Sequence, residues 1–124
     1  MRDIPLSVVD ANVILRYLMG DGGELAEEAK EIIESRAAYT YPEVLAEAVY
    51  VLSGVYGIER PDICRAFRIL AEHMSFYDRG MLQCAFDFYE LTSMDFVDCL
   101  LVARSLTKDE HVLSFDQQVN RYMK

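Results

Sequence analysis

Positive charge is scarce in this chain of 124 residues, where 12 Lys and Arg stand against 21 Asp and Glu for a formal net charge of −9. That balance excludes a broad polyanion-binding face, so any nucleic-acid contact must be local and carried in part by a cation held among carboxylates. Histidine is also rare: His73 and His111 stand alone, without ligand spacing, and read as structural or exposed. Cys64, Cys84 and Cys99 are odd in number and widely separated. They suggest neither a zinc site nor a disulfide framework, and read as small core hydrophobes of a chain in a reducing, cytoplasmic setting. No apolar run reaches the length of a membrane span, and Met1-Arg2-Asp3-Ile4-Pro5 leads into the first strand without room for a signal peptide. Gly-rich phosphate loop, Rossmann fingerprint and Ser-His-Asp set are all missing. So are internal repeats, linkers and low-complexity segments, which leaves a single domain over residues 1–124.

What the chain has in excess is apolar residues, at 52%. Much of it is therefore expected to be buried on more than one face. Leu6 to Val9 reads as a buried parallel strand that delivers Asp10 onto a turn, with a short helix following from Asn12 to Met19. Gly20-Asp21-Gly22-Gly23 is a loop. Leu25, Ala29, Ile32 and Ile33 then recur at helical spacing, opposite an acidic face of Glu24, Glu27, Glu28, Glu31 and Glu34. Ala37 to Tyr41 is a short strand closed by Pro42, and a helix runs from Glu43 to Tyr56 on a stripe of Leu45, Val49, Leu52 and Tyr56, ended by Gly57. Arg60-Pro61-Asp62 opens a helix with Ile63, Phe67, Leu70 and Met74 inward. Ser75 to Tyr77 is a third strand, Asp78 to Leu91 a helix whose Phe and Tyr residues read as core, and Met94 to Leu106 another helix. His111 to Phe115 is a last strand, and Asp116 begins a terminal helix towards Lys124. Strands alternating with helices imply right-handed crossovers and a mostly parallel central sheet, the α/β class in a three-layer α/β/α sandwich.

The carboxylates carry the chemistry. In an open α/β sheet, functional groups collect beyond the carboxyl ends of the strands, where Asp10 and Asp116 both fall. Each is equally a preferred helix N-cap, and capping is the default for one such residue taken alone. Asp98 is more telling, because Phe96, Val97, Cys99, Leu100, Leu101, Val102 and Ala103 surround it with apolar side chains in nearly every direction. A carboxylate in a buried helix needs a cation or strong donors, unless it points out through a gap or pairs with Arg104. Asp95, three residues back, could share that site. Glu47 borders an apolar stripe and is as readily an exposed helical glutamate. Asp and Glu without His or Cys select hard cations, Mg²⁺ or Mn²⁺, which polarise phosphodiesters. Crowding of such acids is expected to raise some of their pKa values.

These residues resemble the PIN-domain ribonucleases, particularly the VapC-type toxins of toxin–antitoxin pairs. VVDANVILRYL is similar to that family's strand-one acid with an Asn two residues on; PEVLAEAVYVL resembles its second-acid helix, with Glu47 as the acid. MDFVDCLLVA resembles the third motif, with the acid at Asp98, and VLSFD the fourth, with Ser114 and Asp116. The resemblance covers essentially the whole chain. It implies a PIN-like fold, cleavage of single-stranded regions of RNA with Mg²⁺ or Mn²⁺, a homodimer, and neutralisation by a small antitoxin. Asp10, Glu47, Asp98 and Asp116 would then hold the metal and act as the catalytic set, with Asn12 and Ser114 orienting carboxylates or water. Arg16, one turn after Asn12, is a candidate phosphate contact; Arg65 and Arg68 are weaker ones and read as a solvated face. Two other readings stay open. One is a non-catalytic PIN-like interaction module. The other is a receiver-like Mg²⁺-binding domain, which would want adjacent acids after strand one and a lysine after the last strand, whereas Ala11 follows Asp10 and Phe115-Asp116 ends the last strand.

Overall fold

The computed structural model describes residues 3–20 and 22–123. Met1, Arg2, Asp21 and Lys124 lie outside the described residues, and with them the expected course of the glycine loop at Asp21 and of the terminal helix as far as Lys124. The chain divides into two compact units, Met1–Tyr77 and Asp78–Lys124.

The first unit carries the sheet. Strands β1 (Ser7–Val8), β2 (Ala38–Thr40) and β3 (Ser75–Phe76) run wholly parallel in the order β1-β2-β3, with Ser7 opposite Ala38, Val8 opposite Tyr39, and Thr40 opposite Phe76. The α/β class and the PIN-like parallel sheet are thus those expected. Helices α1 (Ala11–Met19), α2 (Glu24–Glu34), α3 (Pro42–Gly54) and α4 (Arg60–Leu70) connect the strands, and α1 packs on both α2 and α3. Parallel strands need such crossovers, because the chain leaves the carboxyl end of one strand and must return to the amino end of the next, at the opposite end of the sheet. Ile14, Ile33, Leu45, Val49, Leu52, Ile63, Phe67 and Leu70 form the buried apolar set of this unit, and Met74 joins them.

Three expectations for this unit need correction. β1 is not a buried run, since Leu6 is 75% exposed and Val8 is also exposed. The reason is its position at the edge of the sheet, where one flank and part of one face stay open. In α2 the inward stripe is Ala26, Ala29 and Ile33, while Leu25 faces solvent and Ile32 is only half-buried. α3 stops at Gly54; Val55 and Tyr56 are exposed, and Gly57 adopts a left-handed φ of 66° as the chain turns back, with the Ile58 amide on the Leu52 carbonyl.

The second unit is helical: α5 (Arg79–Leu91), α6 (Phe96–Lys108) and the short α7 (Gln117–Tyr122). α5 and α6 pack closely along their lengths, and α7 packs on α6. The aromatic content of α5 is core, as expected. Phe86 and Tyr89 lie 4.6 and 5.6 Å from Phe96 between ring centres, and Phe88 meets Tyr122 of α7 at 5.3 Å. Cys64 of α4 and Cys99 of α6 are buried, and Cys84 is half-buried. Asp109 ends α6 in the left-handed region, with φ 55°.

Two further expectations fail here. No strand forms over His111–Phe115; Leu113 is 85% exposed and Phe115 fully so. The backbone groups at its end are taken locally instead. Ser114 Oγ accepts the Asp116 N–H at 3.0 Å, and Asn120 Nδ2 donates to the Ser114 carbonyl at 2.8 Å. Serine and asparagine side chains compete with ladder pairing in this way. Nor is α6 buried all round. Phe96, Cys99, Val102 and Ala103 make a buried stripe, whereas Val97 is 57% exposed and Leu100 and Leu101 are half-buried. Among the described residues, no helix is long and apolar enough to cross a membrane.

Candidate active site

Asp10 follows β1 on extended backbone and caps α1, accepting the Val13 amide hydrogen on Oδ1 at 3.1 Å. Its position is fixed from the neighbouring strand. Val9 donates its N–H to the Tyr39 carbonyl at 3.0 Å, and the buried Thr40 hydroxyl donates to the Val9 carbonyl at 2.9 Å. Both polar groups of Val9 are therefore tied to β2, so Asp10 starts from a rigid point. Asn12 is exposed on the first turn of α1, and Arg16 is half-buried one turn later. A cleft of about 560 Å³ beside Asp10 is lined largely by apolar groups, among them Ile4, Pro5, Val8, Val13 and Ile32. Glu47 takes the exposed alternative, on the face of α3 opposite Leu45, Ala48 and Val49.

In the second unit three carboxylates fall near one another. Asp98 occupies the first turn of α6, Asp95 is the residue at its N-cap, and Asp116 caps α7. Asp98 is half-buried, and this desolvation raises its carboxyl above the ordinary range; the negative charges of Asp95 and Asp116 raise it further. It is not enclosed in the core as the apolar run around it suggests, because it sits at the margin of the buried stripe. Nor does it pair with Arg104, which bridges to Glu110 at 3.3 Å. Asp116 accepts the amide hydrogens of Gln118 and Val119 on Oδ1, at 2.8 and 3.2 Å. Gln118 Nε2 in turn donates to Ser93 Oγ at 3.1 Å, linking α7 to the turn before α6. Ser114 orients Asp116 through its backbone rather than through its carboxylate.

Among the described residues no three His, Cys, Asp or Glu side chains close on a common point that could hold a metal ion. The donor chemistry nevertheless fits a hard divalent cation. It is all carboxylate oxygen, and Asp98 is destabilised as an anion by two like charges that a cation would offset. The remaining candidates divide. Arg65 pairs with Asp62 at 2.8 Å on the outer face of α4, in keeping with a solvated face. His73 is half-buried with its ring edge-on to Tyr17, and His111 is exposed.

A model of the PIN domain family matches residues 7–124, nearly the whole chain and all the acids just described. The chain belongs to the PIN domain family. PIN domains are generally nucleases and typically bind divalent metals. No curated protein and no solved structure matches the chain significantly.

One feature of this PIN domain has almost no trace in sequence patterns. Tyr39, Tyr41 and Tyr77 form an aromatic cluster, with Tyr41 and Tyr77 stacked at 4.6 Å and 16° and Tyr39 within 6.0 Å of both. Partial burial raises the Tyr41 phenol, and the hydroxyls of Tyr77 and Tyr39 add to the rise. The only sequence signal is the spacing of Tyr39 and Tyr41, which puts both on one face of a strand.

Proposed function

We propose that this PIN domain is a metal-dependent endoribonuclease that cleaves single-stranded regions of RNA. The observation that carries the reading is Asp98: a half-buried carboxylate on the first turn of α6, flanked by the charges of Asp95 and Asp116, in a chain of a nuclease family. Asp10, Glu47, Asp98 and Asp116 would hold the cation directly or through water. Mg²⁺ or Mn²⁺, when bound, supplies a Lewis acid for the phosphodiester and its leaving oxygen. A carboxylate oxygen of this set accepts the proton of the attacking water as it closes in line on phosphorus. Ser114 holds the Asp116 backbone in place, Asn12 orients a neighbouring carboxylate or water by hydrogen bonding, and Arg16 contacts a substrate phosphate.

The test is cleavage of a structured RNA pool by the purified protein with Mn²⁺, Mg²⁺ or chelator, alongside Asp98→Asn. Metal-dependent cutting that the substitution abolishes is the expected result. Equal cutting by the folded variant overturns the reading.

The finer reading is the toxin of a toxin–antitoxin pair, acting in the cytoplasm as a homodimer and neutralised by a small antitoxin. Its support is the resemblance of all four acid motifs to VapC-type toxins. Growth arrest on expression, and a solution mass twice that of the chain, would bear on the two halves of it.

A second reading has its own observation. Asp10 and Asp116 both cap helices, which is sufficient structural reason for an aspartate at each position. A non-catalytic PIN-like interaction module, whose acids serve the folded state, would fit that role.

A further inference from the structure

The net charge of −9 raises a problem for an RNA-cleaving enzyme: affinity for single strands usually comes from neutralising phosphates, and this chain has little positive charge to do so. Stacking of bases on aromatic rings is the other source of affinity, and it is indifferent to net charge. The tyrosine cluster lies where such stacking would serve cleavage. The sheet register pairs Val8 with Tyr39 and Thr40 with Phe76, and the ladder continues as the Tyr77 N–H donates to the Thr40 carbonyl at 3.0 Å. Carried one row further, the register places Asp10, Tyr41 and Tyr77 level with one another, just past the carboxyl ends of the three strands. Adjacent strands are about 4.8 Å apart, so Tyr41 is one strand away from the Asp10 row position and Tyr77 two. The 4.6 Å stack of Tyr41 on Tyr77 matches that spacing.

From this placement we infer that Tyr77, backed by Tyr41 and Tyr39, is a stacking platform for a base of the single-stranded RNA substrate. Tyr77 is 52% exposed while its ring is held from one side by Tyr41, so a base gains a surface already fixed in orientation. A preorganised ring loses little freedom on binding, which is where flexible side chains forfeit affinity. Holding a base on the row that begins with Asp10 would fix the neighbouring phosphate relative to that carboxylate. The inference rests on the ribonuclease reading above and deepens it by naming what holds the substrate.

The experiment uses the full chain in chelator, where binding is read without cleavage. The probe is a short single-stranded RNA carrying a fluorescent adenine analogue, whose emission is quenched on stacking; the chain has no tryptophan to interfere. Tyr77→Leu, which keeps an apolar side chain, and Tyr77→Ala are expected to bind roughly ten- to a hundred-fold more weakly and to lose the quenching. Tyr77→Phe is expected to bind as the parent does. The loss should be the same factor at low and high salt, since no charge is removed. With metal restored, Tyr77→Leu should raise KM more than it lowers kcat. Undiminished affinity and quenching in Tyr77→Leu, in a protein that still cleaves RNA, overturns the platform and leaves the nuclease reading standing. A parent protein that neither binds nor cuts any single-stranded RNA overturns both.

Discussion

Thr40 reaches across from β2 to β1, its wholly buried hydroxyl donating a 2.9 Å hydrogen bond to the carbonyl of Val9, one residue before Asp10. Thr40→Val keeps the shape and removes the donor, leaving a carbonyl buried without its partner. The expected cost is about 1–2 kcal/mol, read as a lower urea midpoint. Thr40→Ser keeps the donor and removes one methyl, so it should lose no more than about 1 kcal/mol. Equal midpoints for the Val variant and the parent would show that the bond contributes nothing to stability.

Asp98 gives a prediction with a definite sign. Its folded-state pKa is raised by desolvation and by Asp95 and Asp116, so the folded protein holds that proton more tightly than the unfolded chain does. Its contribution therefore favours folding at acid pH, and that advantage is lost as pH rises through the unfolded and then the folded value. In chelator at neutral pH, Asp98→Asn should melt at a higher temperature than the parent. The difference should vanish when both are melted below the ordinary carboxylate range. A variant that is less stable than the parent at neutral pH would mean that Asp98 makes a favourable contact that outweighs its repulsion.

Lys108 and Asp78 behave in the opposite sense. Lys108 Nζ lies 2.6 Å from Asp78 Oδ1, joining the end of α6 to the start of α5, and the ammonium holds the Asp78 carboxyl below its usual range. The stability it brings is present above the unfolded pKa and is lost as pH falls through the folded one. Lys108→Met should therefore lower the melting temperature slightly at neutral pH, and the difference from the parent, followed by circular dichroism, should close as pH falls through the folded-state value of Asp78. The pair is exposed and screened, so high salt should erase the difference.

Legibility in the sequence followed how local each signal was. Among the described residues, periodicity found the seven helices and the three strands, because one buried stripe per helix repeats every three or four residues, as Ile63, Phe67 and Leu70 do in α4. It misread His111–Phe115 as a strand because apolar alternation says nothing about whether a ladder partner is present, and Ser114 and Asn120 bind the local backbone instead. It enclosed Asp98 too deeply for a related reason: a wheel counts Val97 as apolar but does not reveal that it faces solvent. The strand-end position of Asp10 and the helix-opening position of Asp116 were legible, since each follows an apolar stretch and opens a helix, although the strand expected before Asp116 is absent. The register that sets Tyr41 beside Tyr77 was not, because the pairing joins residues 36 positions apart and no short pattern records it.

Asp10 and Asp116 allow capping and catalysis to be separated, because asparagine accepts the same amide hydrogens but is a far poorer ligand for a hard cation. Asp116 accepts two amides of α7, and Asp10 accepts one of α1. Asp116→Ala should therefore cost about 1 kcal/mol of stability, and Asp116→Asn a small fraction of that. Asp10→Ala and Asp10→Asn should divide in the same way. If the two aspartates serve the metal, both Asn variants fold at nearly parental stability, bind Mn²⁺ more weakly and fail to cut RNA. If they serve only the helices, the Asn variants match the parent in metal affinity and in whatever cleavage it shows, and only the Ala variants are impaired. Melting temperature, Mn²⁺ titration and RNA cleavage on the same four proteins distinguish these cases, because stability follows the cap whereas metal affinity and cutting follow the charge.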